Sequence, residues 1–331
     1  MAAMCPKSAQ EKGPEMTVLD SDDAKQLYVL GHPVGHSKSP VMYNALYSYL
    51  ALPWTYGFMD ISDAHEAAEF LDARDFFSIN ITTPYKPLAL QKADVQAATA
   101  QLAGGCNLLA SFGERLLAYN TDGEGCIAYL EREGINFAGK SVAVCGTGPT
   151  SLAIYHAAAM AGAQEVLLLG RKVDKARDVA RGYVRQLRRM AEASRGMPAA
   201  HDHHRSIADT YEQCAFKFGS YTTSTKAIAA ADVIVDATPL GMHEGDPAPF
   251  DPVLLREGQF VMDTVYGHGE TTLAKAAKAC GCQFRNGAGM LVGQAVVTAL
   301  ILFDLAGVET EMTFEQIFAL MAEAGFPGEL G

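Results

Sequence analysis

Apolar and polar positions along the chain fall into two alternating patterns. Short, mostly apolar runs bounded by glycine or polar residues read as strands. They are Tyr28–Gly31, Phe58–Ile61, Phe77–Ile81, Ser141–Cys145, Val166–Leu169, Val233–Asp236 and Phe260–Asp263. Between them lie helical stretches. Val41–Leu50 follows the start signal Ser39-Pro40, and the Ala-rich Ser151–Ala161 follows a glycine turn. Leu108–Ser111 and Leu116–Tyr119 flank Phe112-Gly-Glu-Arg115 and predict a hairpin. Strands and helices in alternation predict an α/β architecture.

The length of 331 residues suffices for two domains, each with its own core. The pattern changes character near Gly139, where an apolar strand, a glycine turn, a helix and a second strand make a βαβ unit of about 30 residues. A domain boundary is therefore expected in the helix Asp122–Arg132 and the turn after it. Gly182–Thr225 reads as an irregular, charged insertion containing His201-Asp-His-His204. Such a cluster has metal-binding side chains, but no ordered scaffold is evident around it, and an exposed loop is the plainer reading. No metal is expected.

Residues 1–24 read as a flexible extension: the start is polar, mixed in charge and lacks the apolar core of a secretion signal. No apolar run is read as long enough to cross a bilayer. A soluble, cytoplasmic protein is expected. The net charge of −12 argues against a nucleic-acid partner, which selects a basic footprint. It leaves room for an anionic small substrate, since a pocket can be locally basic. Seven cysteines, an odd number, form no paired framework, so reduced thiols are expected.

Gly146-Thr147-Gly148-Pro149-Thr150-Ser151 lies between a strand and a helix. Gly146 would allow a tight turn and Gly148 a close backbone approach, while the helix start offers free N–H groups to a pyrophosphate. Ser151 stands where the dinucleotide fingerprint has its third glycine, so the loop alone is a weak signal. The end of the next strand separates NAD from NADP. An NAD site carries an acid there, to hold the ribose hydroxyl. This chain has Arg171, Lys172 and Lys175 instead. Arg171 can grip a 2′-phosphate, with Lys175 assisting and Lys172 a weaker candidate, so NADP is the expected cofactor.

Three further polar loops follow strand ends, where an open α/β sheet gathers ligand groups. The first is Gly31 to Pro40. In the second, Asn80 to Lys86, Pro84 suits a first helical turn. Lys86 then falls in that turn, where its charge opposes the helix dipole and serves no evident structural purpose; proton transfer is one use for it. The third is Tyr119 to Gly123. Taken alone, Asp122 would be an ordinary capping acid and Lys86 a surface lysine.

Together these segments resemble the shikimate dehydrogenase family. The resemblance rests on His36-Ser37-Lys38-Ser39-Pro40, on Asn80-Ile-Thr82-Thr-Pro84-Tyr-Lys86 and on Asn120-Thr121-Asp122-Gly-Glu-Gly125. It continues through Gly146 to Ser151, Arg171, Thr238-Pro-Leu-Gly241-Met242 and Gly287-Ala-Gly289-Met290-Leu-Val-Gly-Gln294, and covers roughly residues 27 to 330. It implies Lys86 and Asp122 as the catalytic pair. It places Ser37, Ser39, Asn80, Thr82, Asn107, Tyr266 and Gln294 around the substrate, the two serines at its carboxylate. Thr238 and Gly287 join the cofactor loop. The implied fold is an N-terminal α/β substrate domain, 25–128 with the returning helices 293–331, and a doubly wound NADP domain, 129–292. The implied reaction is reversible reduction of 3-dehydroshikimate to shikimate. Alternatives are a quinate dehydrogenase, with NAD as its possible cofactor, and a silent NADP-binding regulator. The protein is expected as a monomer or homodimer. The chain departs from the family pattern at Tyr43, Leu108, Pro149 and Gly267.

Overall fold

The computed structural model describes residues 24–195 and 204–330. In β1 (Lys25–Gly31), Leu27 and Val29 enter one core while Tyr28 and Leu30 enter another, on the opposite face of the sheet. A strand covered on both faces needs apolar residues at consecutive positions, which is what made it legible. Beside it lie β2 (Trp54–Asp60), β3 (Ser78–Ile81), β4 (Val95–Gln96), β5 (Leu108–Phe112) and β6 (Arg115–Tyr119), in the order β2-β1-β3-β5-β6-β4. Strands β1, β2 and β3 are parallel; β5 runs antiparallel to β3 and pairs with β6 in the expected hairpin.

The second sheet is parallel throughout. It holds β7 (Ser141–Cys145), β8 (Glu165–Gly170), β9 (Ala215–Ser220), β10 (Val233–Asp236), β11 (Phe260–Asp263) and β12 (Gln283–Arg285) in the order β12-β11-β10-β7-β8-β9. The order reverses direction at β7, where β8 and β10 depart to opposite sides. This is the doubly wound arrangement, with its ligand crevice at the C-terminal end of β7.

Three helices join the two sheets. The α5 helix (Asp122–Arg132) lies between α6 (Pro149–Met160) of the second sheet and α11 (Ala288–Ala306), which returns to the first. Glycines set the closeness of these crossings. A Cβ at Gly123 would stand 2.1 Å from the Ala153 carbonyl oxygen of α6, and one at Gly125 2.2 Å from the Gln294 nitrogen of α11. From the other side, a Cβ at Gly293 would stand 2.3 Å from the Gly125 oxygen. The α11 and α12 (Phe314–Gly325) helices pack on each other, and α12 lies on α1 (Ser39–Tyr49).

The structure corrects several expectations. Over its described residues, the stretch 182–225 is not irregular. The α7 helix (Val173–Ala193) runs well into it, buries Ala176, Ala180, Tyr183, Leu187 and Ala191, and is followed by α8 (Ile207–Gln213) and β9. Of the histidine cluster, residues 201–203 lie outside the described residues, as do residues 1–23 of the expected N-terminal extension. His204 lies 3.4 Å from a Glu131 carboxylate oxygen. Among the described residues one helix, α11, is long and apolar enough to cross a membrane by length and composition, contrary to the expectation from sequence; most of it is buried against the rest of the protein. Pro84 lies in a turn ahead of α3 (Lys86–Lys92) and not in its first turn.

Candidate active site

Lys86 and Asp122 each open a helix, α3 and α5. Neither helix has a side-chain cap. The Asp122 carboxylate does not serve its own helix start, so the plain capping reading fails. Its Oδ2 instead accepts hydrogen bonds from Lys86 Nζ and, at 3.0 Å, from Thr150 Oγ1; its Oδ1 accepts from Asn107 Nδ2 at 2.8 Å. The side chains of Lys86 and Asp122 are only 14% and 8% exposed. A pair this buried is stable only when its remaining protons and lone pairs are served, and these neighbours serve them.

The amide of Asn107, at the turn into β5, organises the surroundings. Besides Asp122 it reaches Thr121 Oγ1 at 2.9 Å and Gln294 Oε1 at 3.3 Å, and its oxygen accepts from the Thr121 nitrogen at 2.8 Å. Asn80, on β3, donates to the Asn107 carbonyl and accepts from Tyr56 Oη at 2.8 Å. Asn120 holds the loop from beneath, bonding the Gly105 carbonyl and the Asp122 nitrogen. The sequence-predicted residues Lys86, Asp122, Asn80, Asn107 and Gln294 thus belong to one hydrogen-bonded network drawn from both ends of the chain. Tyr43, one of the departures from the family pattern, lies behind it, stacked on Tyr56 with ring centroids 4.4 Å apart.

The serine loop borders this network. Ser37 Oγ accepts from the Ser39 nitrogen at 3.2 Å, and Ser39, at the start of α1, is buried. His36 meets His268 edge to face at 6.4 Å, which brings the loop after β1 against the loop after β11 that carries Tyr266. Tyr266 is packed edge-on against Phe326. Thr82 lies directly over Gly31, where a Cβ would stand 2.3 Å from the threonine methyl.

On the other side is the glycine turn. Gly146 has φ +115°, in the region that favours glycine, and a Cβ there would strike Ser151 Oγ at 2.2 Å. Ser151 is buried and closes the turn onto the Ala237 carbonyl. Around Gly148 the space is open, so the protein's own packing does not demand glycine there. Pro149 begins α6, whose first turn carries no acid. Thr147 reaches towards Gly170 at the end of β8, and Arg171, Lys172 and Lys175 follow it, all exposed. An open helix N-terminus beside three exposed cations fits the phosphates of a dinucleotide.

Two elements of this face escaped the sequence reading. The loop Tyr221 to Ser224 follows β9, whose Ser220 lies level with Gly170, so it stands beside Arg171. Burial pushes the Tyr221 hydroxyl's pKa up, while the Gly146 amide and Arg171 charge pull it down. The second element is a pair of acids, Asp236 and Asp263, in register at the ends of β10 and β11. Both are buried, and Asp236 Oδ2 has no hydrogen-bond partner. Burial first, and then the Asp263 charge, push Asp236 up to about 7. Thr238 donates its backbone N–H to Asp236, and its hydroxyl oxygen accepts from the Leu240 nitrogen. Gly287 is pressed against the Thr264 carbonyl, 1.9 Å from where a Cβ would be. Among the described residues, no group of three or more His, Cys, Asp or Glu side chains could hold a metal ion.

Comparison with known proteins bears on the family of this chain. Residues 29–109 match the model of the shikimate dehydrogenase substrate binding domain. The NADP(+)-type shikimate dehydrogenase of Symbiobacterium thermophilum is 32% identical over 272 residues, covering 81% of this chain and 85% of that protein. That of Alkaliphilus oremlandii is 28% identical over 295 residues, covering 88% and 96%. A crystal structure of a shikimate dehydrogenase in complex with NADP+ superposes with a TM-score of 0.71 at 26% identity, covering 94% of this chain and 99% of that one. With such likeness along nearly the whole length of each, the chain belongs to the shikimate dehydrogenase family.

Proposed function

We propose that this protein catalyses the NADP-dependent, reversible reduction of 3-dehydroshikimate to shikimate. The observation that carries the reading is the buried Lys86–Asp122 pair, held by Asn107 and hydrogen-bonded to Thr150 of the glycine turn. The relatives named above, two of them NADP(+) enzymes and one crystallised with NADP+, support the choice of substrate and cofactor.

In this reading residues 25–128 with 293–331 hold the substrate and 129–292 hold the nucleotide. Gly146 to Ser151 and the start of α6 receive the pyrophosphate, Thr238 and Gly287 border the cofactor, and Arg171 with Lys175 takes the 2′-phosphate. When bound, the nicotinamide supplies or accepts the hydride. Lys86 Nζ delivers a proton to the substrate oxygen in reduction and removes it in oxidation. Asp122 keeps the ammonium in place, and Asn107 keeps Asp122 in place. Ser37 and Ser39 receive the substrate carboxylate, while Asn80, Thr82, Tyr266 and Gln294 meet the ring and its hydroxyls.

The test is a spectrophotometric assay of the purified protein with NADP or NAD, and with shikimate or quinate. NADP reduction with shikimate should have the highest kcat/KM. A higher value with quinate would reassign the substrate, and no reduction of either cofactor would leave only a binding role.

A further inference from the structure

The Thr150 hydroxyl lies 3.0 Å from Lys86 Nζ and 3.0 Å from Asp122 Oδ2. A hydroxyl can accept one hydrogen bond while donating another, and here it accepts from the ammonium and donates to the carboxylate. It thereby closes a three-membered ring of contacts around the proposed catalytic pair. Thr150 belongs to α6, on the nucleotide side of the cleft, whereas Lys86 and Asp122 belong to α3 and α5. Its neighbour Pro149 is set down in the same direction. A Cβ at Gly105 would stand 2.9 Å from Pro149 Cγ and 3.2 Å from the Lys86 carbonyl carbon, so glycine at 105 is what lets the nucleotide turn approach this closely.

We propose that Thr150 is a positioning residue that ties the nucleotide turn to the alignment of Lys86 and Asp122, and that Gly105 makes the contact sterically possible. A loop whose only task was to receive phosphates would have no need of a side-chain oxygen aimed at the proton-transfer pair. Once the turn is seated, Lys86 is held from two directions, by Asp122 and by Thr150, with Nζ left one further N–H for substrate. Without the Thr150 hydroxyl, the ammonium loses one of those restraints. The nucleotide turn and the proton-transfer pair are thus joined through one hydroxyl.

The inference rests on the proposed dehydrogenase activity, and its test separates the two. Wild type, Thr150→Val, Thr150→Ser and Gly105→Ala are assayed with NADP and shikimate, and NADP affinity is measured separately by fluorescence titration. Wild-type inactivity would overturn the functional reading itself. With an active wild type, Thr150→Val, which keeps the shape and loses the hydroxyl, should lower kcat about tenfold or more. Its NADP affinity should change less than about threefold, and the solvent deuterium isotope effect on kcat should rise as proton transfer becomes limiting. Thr150→Ser should recover most of the lost rate. Gly105→Ala should lower kcat as well, and adding it to Thr150→Val should cost little more, because both remove the same contact. Unchanged kcat in Thr150→Val would overturn the proposal. So would a loss confined to NADP affinity, which would make Thr150 a nucleotide contact only.

Discussion

Asn107 donates to the Oδ1 of Asp122 at 2.8 Å, leaving Oδ2 to Lys86 and Thr150. The two oxygens of one carboxylate are therefore used differently, one for holding and one for chemistry. Asn107→Ala should strip the first oxygen of its donor and free the carboxylate to rotate. A hydrogen bond to a charged group is worth about 1.5–3 kcal/mol, so kcat/KM should fall about 10- to 100-fold. Steady-state kinetics check it, and a variant with wild-type kcat/KM would show that Asp122 needs no such support.

Lys86→Ala removes the proposed proton carrier. Turnover should drop about 10²-fold or more, the size of acid–base assistance, while shikimate still binds weakly. Calorimetric titration separates the two effects. Near-normal turnover would take Lys86 out of the mechanism.

Ser37 and Ser39 are expected at the substrate carboxylate. Ser37→Ala and Ser39→Ala should each raise the Michaelis constant for shikimate about tenfold with a smaller effect on kcat, since binding to an unreacting group is uniform through the reaction. Ser37→Ala also removes the acceptor for the Ser39 nitrogen, so its effect should be the larger. A change only in the NADP constants would place this loop elsewhere.

Asp236 carries a pH prediction. Its folded pKa is raised to about 7, by burial first and by Asp263 next. At low pH the carboxyl is protonated in both folded and unfolded chains, and no penalty applies. As pH rises towards 7 the unfolded carboxyl ionises while the folded one resists, so stability drains away across that window and stays low above it. Asp236→Asn keeps an oxygen for the Thr238 nitrogen, which now bonds Asp236 Oδ1 at 2.9 Å. It should raise Tm by about 5 °C at pH 8, and the gain should shrink towards zero near pH 4. Melting curves of both proteins across this range decide it. A constant difference at all pH values would show that packing, not ionisation, separates them.

Local chemistry made much of this fold legible. Consecutive apolar residues mark strands buried on both faces, and Lys86 stands out because a helix start gives a cation no evident structural task, whereas Asp122, by itself an ordinary capping acid, is singled out only by its motif. What stayed hidden depends on neighbours that sequence does not reveal. The α7 helix buries a narrow stripe that is mostly alanine under many charges, so it reads as polar. Strand β9 lies at a sheet edge, with Phe216 half-buried and Phe218 exposed, so it lacks the apolar run of its partners. Val233–Asp236 and Phe260–Asp263 were each visible as strands. Only the sheet order shows that their terminal acids meet. Thr150 likewise looks like one more residue of a glycine loop until the fold sets it against Lys86 and Asp122.

Arg171 is the proposed determinant of cofactor choice. It stands directly after β8, where an NAD site carries an acid, and it is exposed beside the Tyr221–Ser224 loop. Lys172 and Lys175, which follow it closely in the chain, are exposed as well. A cation at the start of α7 is mildly unfavourable by itself, so an arriving phosphate makes better use of it than the protein alone does. Arg171→Ala should weaken NADP binding about 10- to 100-fold and leave NAD nearly unchanged, because NAD lacks the phosphate. The wild-type advantage should narrow as salt rises, since ions screen an exposed charge pair. Arg171→Asp should go further and turn preference towards NAD, by repelling the phosphate and accepting from the ribose hydroxyls. Titration of both nucleotides against the three proteins at two salt concentrations tests all of this. Equal losses for NADP and NAD would show that Arg171 serves the adenine or the fold. A wild-type preference for NAD would remove the assignment before any variant was made.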